Sequence, residues 1–153
     1  MKASSLQLET SAITRIRLDS NKAYPRELVS KKFDQFGDAG LESSVEVGAD
    51  DSDPSRHFVK LAIRMLGSES VQPPYILEIE IIGIFNCENT DPACRDDLIQ
   101  ANGPAVLYGS IRELVMLLTS RGPYQPLVLP TVNFLTPEIK CGPDGRRLDD
   151  NKN

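Results

Sequence analysis

Four stretches of the chain alternate apolar and polar residues with a period of two, the pattern of strands that bury one face of a sheet. In Leu41–Val47, the positions Leu41, Val45 and Val47 are apolar and Glu42, Ser44 and Glu46 are polar. Across 57–66, Val59, Leu61, Ile63 and Met65 share a face opposite Lys60 and Arg64. From 75 to 85 the odd positions read Tyr75, Leu77, Ile79, Ile81, Gly83 and Phe85, while the even face sets Glu78 and Glu80 between Ile76 and Ile82. An earlier strand, from about Ala12 to Leu18, places Ile16 and Leu18 against Arg15 and Arg17. The linkers 48–55 and 67–74 are turn-rich and too short for helical crossovers, so the last three strands form an antiparallel meander. The first connection, residues 20–40, is longer; it holds Pro25, Gly37 and Gly40 and is expected to wrap an edge.

After Phe85 the period changes. Thr90-Asp91-Pro92 has the form of a helix cap followed by proline in the first turn, and Asn102-Gly103 the form of a helix end. Pro104 then opens a second, longer helix that runs to about Arg121, where Gly122-Pro123 stops it. Leu107, Ile111, Leu114, Val115 and Leu118 give this helix a core stripe. Val106 and Leu117 lie off the edge of that stripe and Met116 near the opposite side. A helix apolar around most of its circumference needs burial on two sides, so a second subunit is expected against Val106, Met116 and Leu117. The next segment, Pro123 to Leu135, is strongly apolar, yet prolines at 123, 126 and 130 forbid a helix or a central strand. It is expected to run extended over an apolar surface. A polar tail follows, so one domain, 1–139, and a flexible tail, 140–153, are expected.

Composition narrows the function. The 153 residues are enough to bury a core, and no apolar run reaches the roughly 18 residues of a membrane span. The N-terminus lacks the form of a secretory signal, which points to the cytoplasm. The net charge is −5 and the cations are scattered, which disfavours a nucleic-acid partner. Cys87, Cys94 and Cys141 form no C-x-x-C pair and are expected to be buried or idle thiols. No phosphate-cradling G-x-x-x-x-G-K-S/T occurs, nor any cluster with the ligand spacing of a metal site, so neither a cofactor nor a metal is expected. The single histidine, His57, has no nucleophile placed beside it, and Glu78 and Glu80 read as a solvated strand face. A non-catalytic protein is therefore expected. An enzyme or small-ligand binder that uses Glu78 or His57 as its polar group is the rival from another class.

The order of elements carries a resemblance. Gly83-Ile84-Phe85 closes the strands, followed by Leu107-Tyr108-Gly109-Ser110-Ile111-Arg112-Glu113, Leu118-Thr119-Ser120-Arg121-Gly122, and Leu129-Pro130-Thr131-Val132-Asn133-Phe134. This series resembles the SecB family of export chaperones over nearly the whole chain to Phe134. The resemblance implies an α+β, SecB-like fold: a four-stranded antiparallel sheet with a short and a long helix packed on one face. It implies a homotetramer, a dimer of dimers with the long helix at the interface. It also implies an ATP-independent holdase that keeps unfolded or precursor polypeptides in apolar grooves for export or delivery. Tyr124, Leu127, Leu129, Val132 and Phe134 fall near such a groove. In members that hand clients to the translocase motor SecA, an acidic sheet face receives the motor's tail, and Ile76, Glu78 and Glu80 fall at that face. The chain departs from those members at Arg15, where they carry an acidic residue, and no amphipathic lid helix is expected after Phe134, because Gly142-Pro143 and a polar tail follow. A dedicated SecB-like chaperone of a toxin–antitoxin pair or of another single partner is the alternative within the same fold.

Overall fold

A computed structural model describes residues 4–134; the tail and Cys141 lie outside the described residues. Four strands, β1 (Gln7–Ser20), β2 (Leu41–Ala49), β3 (Arg56–Met65) and β4 (Tyr75–Asn86), form one antiparallel sheet in the order β1-β4-β3-β2. The meander expected of the last three strands is present. In β3 and β4 the burial alternates residue by residue: Val59, Leu61, Ile63 and Met65, and Leu77, Ile79, Ile81 and Phe85, all point inward.

Strand β1 is twice the length read from the sequence because two bulges hide its period. The register with β4 slips between Leu8 and Thr10 and again between Ile13 and Arg15. Each slip resets the phase, so Leu8, Ser11, Ile13, Ile16 and Leu18 all stand opposite core-facing partners despite their uneven spacing. The bulged residues reach across the outer face. Glu9 accepts hydrogen bonds from Arg56 and Asn86, and Thr14 donates to Glu80.

The first connection does more than wrap an edge. It leaves β1 at one margin of the sheet and enters β2 at the other. On the way it passes the 66–75 turn, where the Asn21 amide donates to Pro74 and the Gly67 amide donates to Ala39. Tyr24, Phe33, Phe36 and Ala39 are buried along that path and close this end of the core.

The two expected helices are one. After a 3-10 turn, Pro92–Cys94, capped by Asp91 accepting from the Ala93 amide, α1 runs without a break from Arg95 to Thr119. Local chemistry at Asn102-Gly103-Pro104 favours a stop, and an internal proline costs about 3 kcal/mol. Packing overrides it: Ala101, Gly103, Pro104, Leu107 and Tyr108 form one continuous buried face. Gly103 sits so close to the sheet that a Cβ there would lie 2.8 Å from Val59 Cγ2. Of the expected core stripe Leu107, Ile111 and Val115 are buried, whereas Leu118 is exposed and Thr119 takes its place inside. The helix covers β3, β4 and part of β2 and leaves the inner face of β1 open.

Candidate functional site

The extended segment 123–134 is strapped to α1 by side chains rather than by a sheet ladder. Its prolines cannot donate, so single side chains serve the remaining backbone groups. The Leu127 amide donates to Thr119 Oγ1 at 2.8 Å, Arg112 Nε donates to the Leu129 carbonyl at 3.0 Å, and the Tyr108 hydroxyl donates to the Pro130 carbonyl at 2.8 Å. At the turn after α1, the Tyr124 amide donates to the Tyr75 hydroxyl, and the Tyr124 hydroxyl donates to the Asn21 carbonyl. Gly122 is required here, because a Cβ would meet the Tyr75 hydroxyl. Burial pushes the hydroxyls of Tyr24, Tyr75 and Tyr108 above the ordinary tyrosine range. None of Tyr75, Tyr108, Arg112 or Thr119 was read from the sequence as a contact that holds this segment. The signal for the last two was available: both are polar residues on the apolar stripe of the helix.

The five positions proposed for a client groove separate into three groups by burial. Leu127 and Leu129 are buried in the protein's own core. Tyr124 is half-buried between Tyr24 and Tyr75, with ring centroids at 5.2 and 5.6 Å, and Phe134 stacks edge-on against Tyr108. Only Val132 is exposed, together with Val128.

The larger open apolar area lies elsewhere. Val106, Met116 and Leu117, expected at an interface, are all exposed on α1, Leu117 at 63%. Leu118 joins them, and the uncovered inner face of β1 adds Leu8, Ile13 and Ile16. Full burial of such side chains is worth roughly 1.5–3 kcal/mol each. A cover that removed the remaining half from water would therefore gain roughly 1 kcal/mol per residue. At the opposite margin β2 is an edge strand that keeps unbroken register with β3 from Leu41 to Ala49. Leu41, Ser43, Val45 and Val47 stand opposite inward-facing residues of β3 on that edge, and every second backbone amide and carbonyl of β2 points away from the sheet.

The outer face of the sheet carries Glu78 and Glu80 side by side, as read from the alternation, with Ile76 half-buried beside them. The register aligns Glu42, Arg64, Glu78 and Arg17 in one row across all four strands, with charges alternating in sign. Arg64 binds Glu42 at 2.7 Å, Arg17 and Arg15 lie 3.5 and 3.7 Å from Glu78, and Lys60 is 3.1 Å from Glu80. The Thr14 hydroxyl and then Lys60 hold the Glu80 carboxyl below the usual range.

His57 is buried at the start of β3, its Nε2 3.4 Å from Asp96 and its Nδ1 without a hydrogen-bond partner. Cys87 is free and buried, and burial pushes its thiol up, which makes it a poor nucleophile. Cys94 departs from the expectation of an idle thiol: it is disulfide-bonded. No C-x-x-C pair in the sequence signals that bond. Among the described residues no group of three or more His, Cys, Asp or Glu side chains is placed to hold a metal.

Compared with known families, residues 29–136 match the model described as preprotein translocase subunit SecB, which is more than half of the chain. This chain belongs to the SecB family. The match takes in β2, β3, β4, α1 and the strap, and begins after β1. Similar curated proteins include the protein-export protein SecB of Ehrlichia canis (strain Jake), 31% identical over 68 residues. The SecB of Alkalilimnicola ehrlichii is 30% identical over 76 residues. The chain spans 38% and 40% of those two SecB proteins, which cover 39% and 50% of it. Among solved structures, the SecB-like chaperone Rv1957 of Mycobacterium tuberculosis, in complex with a ChAD peptide from the antitoxin HigA1, shares the fold. Its TM-score is 0.50 at 22% identity, over 84% of this chain and 91% of that one. The expected SecB-like α+β fold is thereby established, with one long helix in place of a short and a long one.

Proposed function

We propose that this SecB-family protein is a nucleotide-independent chaperone of the cytoplasm that holds non-native polypeptides and assembles with copies of itself. The observation that carries the reading is the division of its open surface. One margin offers exposed aliphatic side chains on α1 and β1, and the other offers the unpaired, regular edge of β2. An extended client can add a strand to β2, gaining about 0.5–1.5 kcal/mol net per backbone hydrogen bond, with its alternate side chains against Leu41, Val45 and Val47. Such capture is tolerant of sequence, because main-chain groups supply the contact. It lowers the concentration of free unfolded client, and this slows aggregation without any chemical step.

Val106, Met116 and Leu117, with Leu8, Ile13 and Ile16, are the surface we assign to self-association. Val132 and Phe134 remain the strap positions within reach of a client. Leu127 and Leu129 act from beneath by fixing the strap. The test is aggregation of a chemically denatured substrate, followed by light scattering with the protein in stoichiometric amounts and no nucleotide. Suppression is expected, together with co-elution of client and protein as an assembly larger than the protomer. A monomer that leaves aggregation unchanged refutes the proposal.

A narrower reading is favoured by one observation, the antitoxin peptide bound to the Mycobacterium tuberculosis relative. A chaperone dedicated to one partner would suppress aggregation of that partner and of no unrelated denatured substrate.

A further inference from the structure

Cys94 sits where a helix cap belongs and caps nothing. It is the N-cap residue of α1, a position at which Ser, Thr, Asp or Asn would satisfy a free amide, yet its side chain makes no cap hydrogen bond. Its sulfur is instead buried and bonded to a second sulfur. The chain holds three cysteines, and Cys87 is a free thiol. Cys141 is the one that remains. Chain length permits the pairing. Phe134 stacks on Tyr108 of α1, and Tyr108 lies fourteen positions beyond Cys94, about 21 Å along the helix. Cys141 follows Phe134 by seven positions, which reach about 25 Å at full stretch. The bond can close with little slack.

We propose that Cys94 and Cys141 form a redox clasp, which when closed draws the end of the strap against α1 and when opened lets Phe134 lift from Tyr108. Closing it removes one proton and one electron from each thiol. The electron pair passes to a small-molecule disulfide of the glutathione class, which leaves as two thiols. Opening is the reverse exchange: a thiolate attacks the Cys141 sulfur, Cys94 leaves as the thiolate, and a second thiol resolves the mixed disulfide. That departure is favoured by position, because the unpaired amides of a helix N-terminus stabilise an anion there. Cys87 does not compete, since burial keeps it a thiol. In the cytoplasm proposed above, a bond of this kind is transient and reports the redox state. As a control on client access the clasp rests on the holding function proposed above, through Val132 and Phe134; the pairing and the release of Phe134 do not.

The experiment starts from the full chain equilibrated with oxidised glutathione, then alkylated under denaturing conditions and mapped by mass spectrometry. Alkylation of Cys87 alone is expected, with a linked pair of peptides that contain Cys94 and Cys141. Dithiothreitol at 10 mM without denaturant should open the bond. The Tyr108–Phe134 ring cross-peak in nuclear Overhauser spectra should then weaken at least twofold, and the thermal midpoint should fall by roughly 5 °C or more. Cys141→Ser and Cys94→Ser should each match the reduced protein with or without oxidant, whereas Cys87→Ser should keep the full response. Every readout is taken without client, so failure here is separable from failure of the holding function. Three alkylated cysteines after oxidation overturn the proposal, as does a Cys94 bond to Cys87 or to another chain. So does a bond that opens only after denaturation, or a ring cross-peak that reduction leaves unchanged.

Discussion

Replacing Thr119 by valine tests how the strap is held. The Thr119 hydroxyl is fully buried; it accepts from the Leu127 amide at 2.8 Å and donates to the Val115 carbonyl at 2.7 Å. Valine keeps the shape and removes both contacts. The Val115 carbonyl retains its helical partner, the Thr119 amide, so its loss is minor. The Leu127 amide is left buried with no acceptor, and such an orphaned donor costs about 1–3 kcal/mol. Thr119→Ser is the control: it keeps the hydroxyl and deletes one methyl, for about 1 kcal/mol.

Urea unfolding of both variants at one protomer concentration, which keeps any association term fixed, separates the two contributions. The valine variant is expected to lose more stability than the serine variant at unchanged slope. Exchange of the Leu127 amide should accelerate roughly 5- to 150-fold in the valine variant, the factor matching 1–3 kcal/mol if the strap opens locally. A valine variant within 0.5 kcal/mol of the parent, with the serine variant less stable than both, would mean that the methyl group and not the hydroxyl holds the strap. The tether argument would then be wrong.

Three further outcomes are expected. Leu117→Asp places a charge on the most exposed aliphatic position of α1 and should convert the assembly to smaller species in size-exclusion light scattering; an unchanged mass excludes this face from the interface. Val45→Lys puts a long cation on the β2 edge, a common natural block to strand addition, and should weaken aggregation suppression several-fold while the thermal midpoint moves by less than about 3 °C. Tyr24, Tyr75 and Tyr108 titrate above the unfolded tyrosine value, so their contribution is complete below about pH 10 and is lost as pH rises through the folded values; buried Cys87 acts with the same sign from about pH 8.5. Urea midpoints should hold to about pH 8 and fall above it, and a flat profile to pH 11 contradicts the burial of these hydroxyls.

What the sequence made legible depended on whether local pattern and global packing agreed. Strands β3 and β4 were readable because each is central, alternates cleanly and keeps unbroken register with the other. Strand β1 was readable only from Ala12 to Leu18, because the bulges at Glu9 and Thr14 break the alternation that reveals a strand. Asn102-Gly103-Pro104 carries a genuine local stop signal, and only the depth of burial of Gly103 against Val59, which no one-dimensional pattern contains, explains why α1 continues. The strap positions were ambiguous for a related reason. Apolarity at Leu127 and Leu129 is compatible with a groove or with a core, and the donors that decide between them, on Arg112 and Tyr108, lie at other points of the sequence.

The two edges of the sheet are unequal, and the inequality supports the different roles proposed for them. A second strand adds most readily where the pleat is regular over many residues. Strand β2 offers nine such residues without a bulge, Pro or Lys, so its edge suits any extended chain. Strand β1 is interrupted twice in fourteen residues, and each bulge twists the edge away from a generic partner. Yet β1 also carries exposed Leu8, Ile13 and Ile16 beside an uncovered flank of the helix. A surface that rejects generic strands while retaining apolar side chains selects a shape-matched partner, and another copy of the same chain is always present at matching concentration. Polar substitution at Ile13 and Ile16 should therefore dissociate the assembly and leave the β2 edge competent to hold client as a smaller species. If client holding were lost in step with β1 substitution at unchanged mass, the edges would have to exchange their roles.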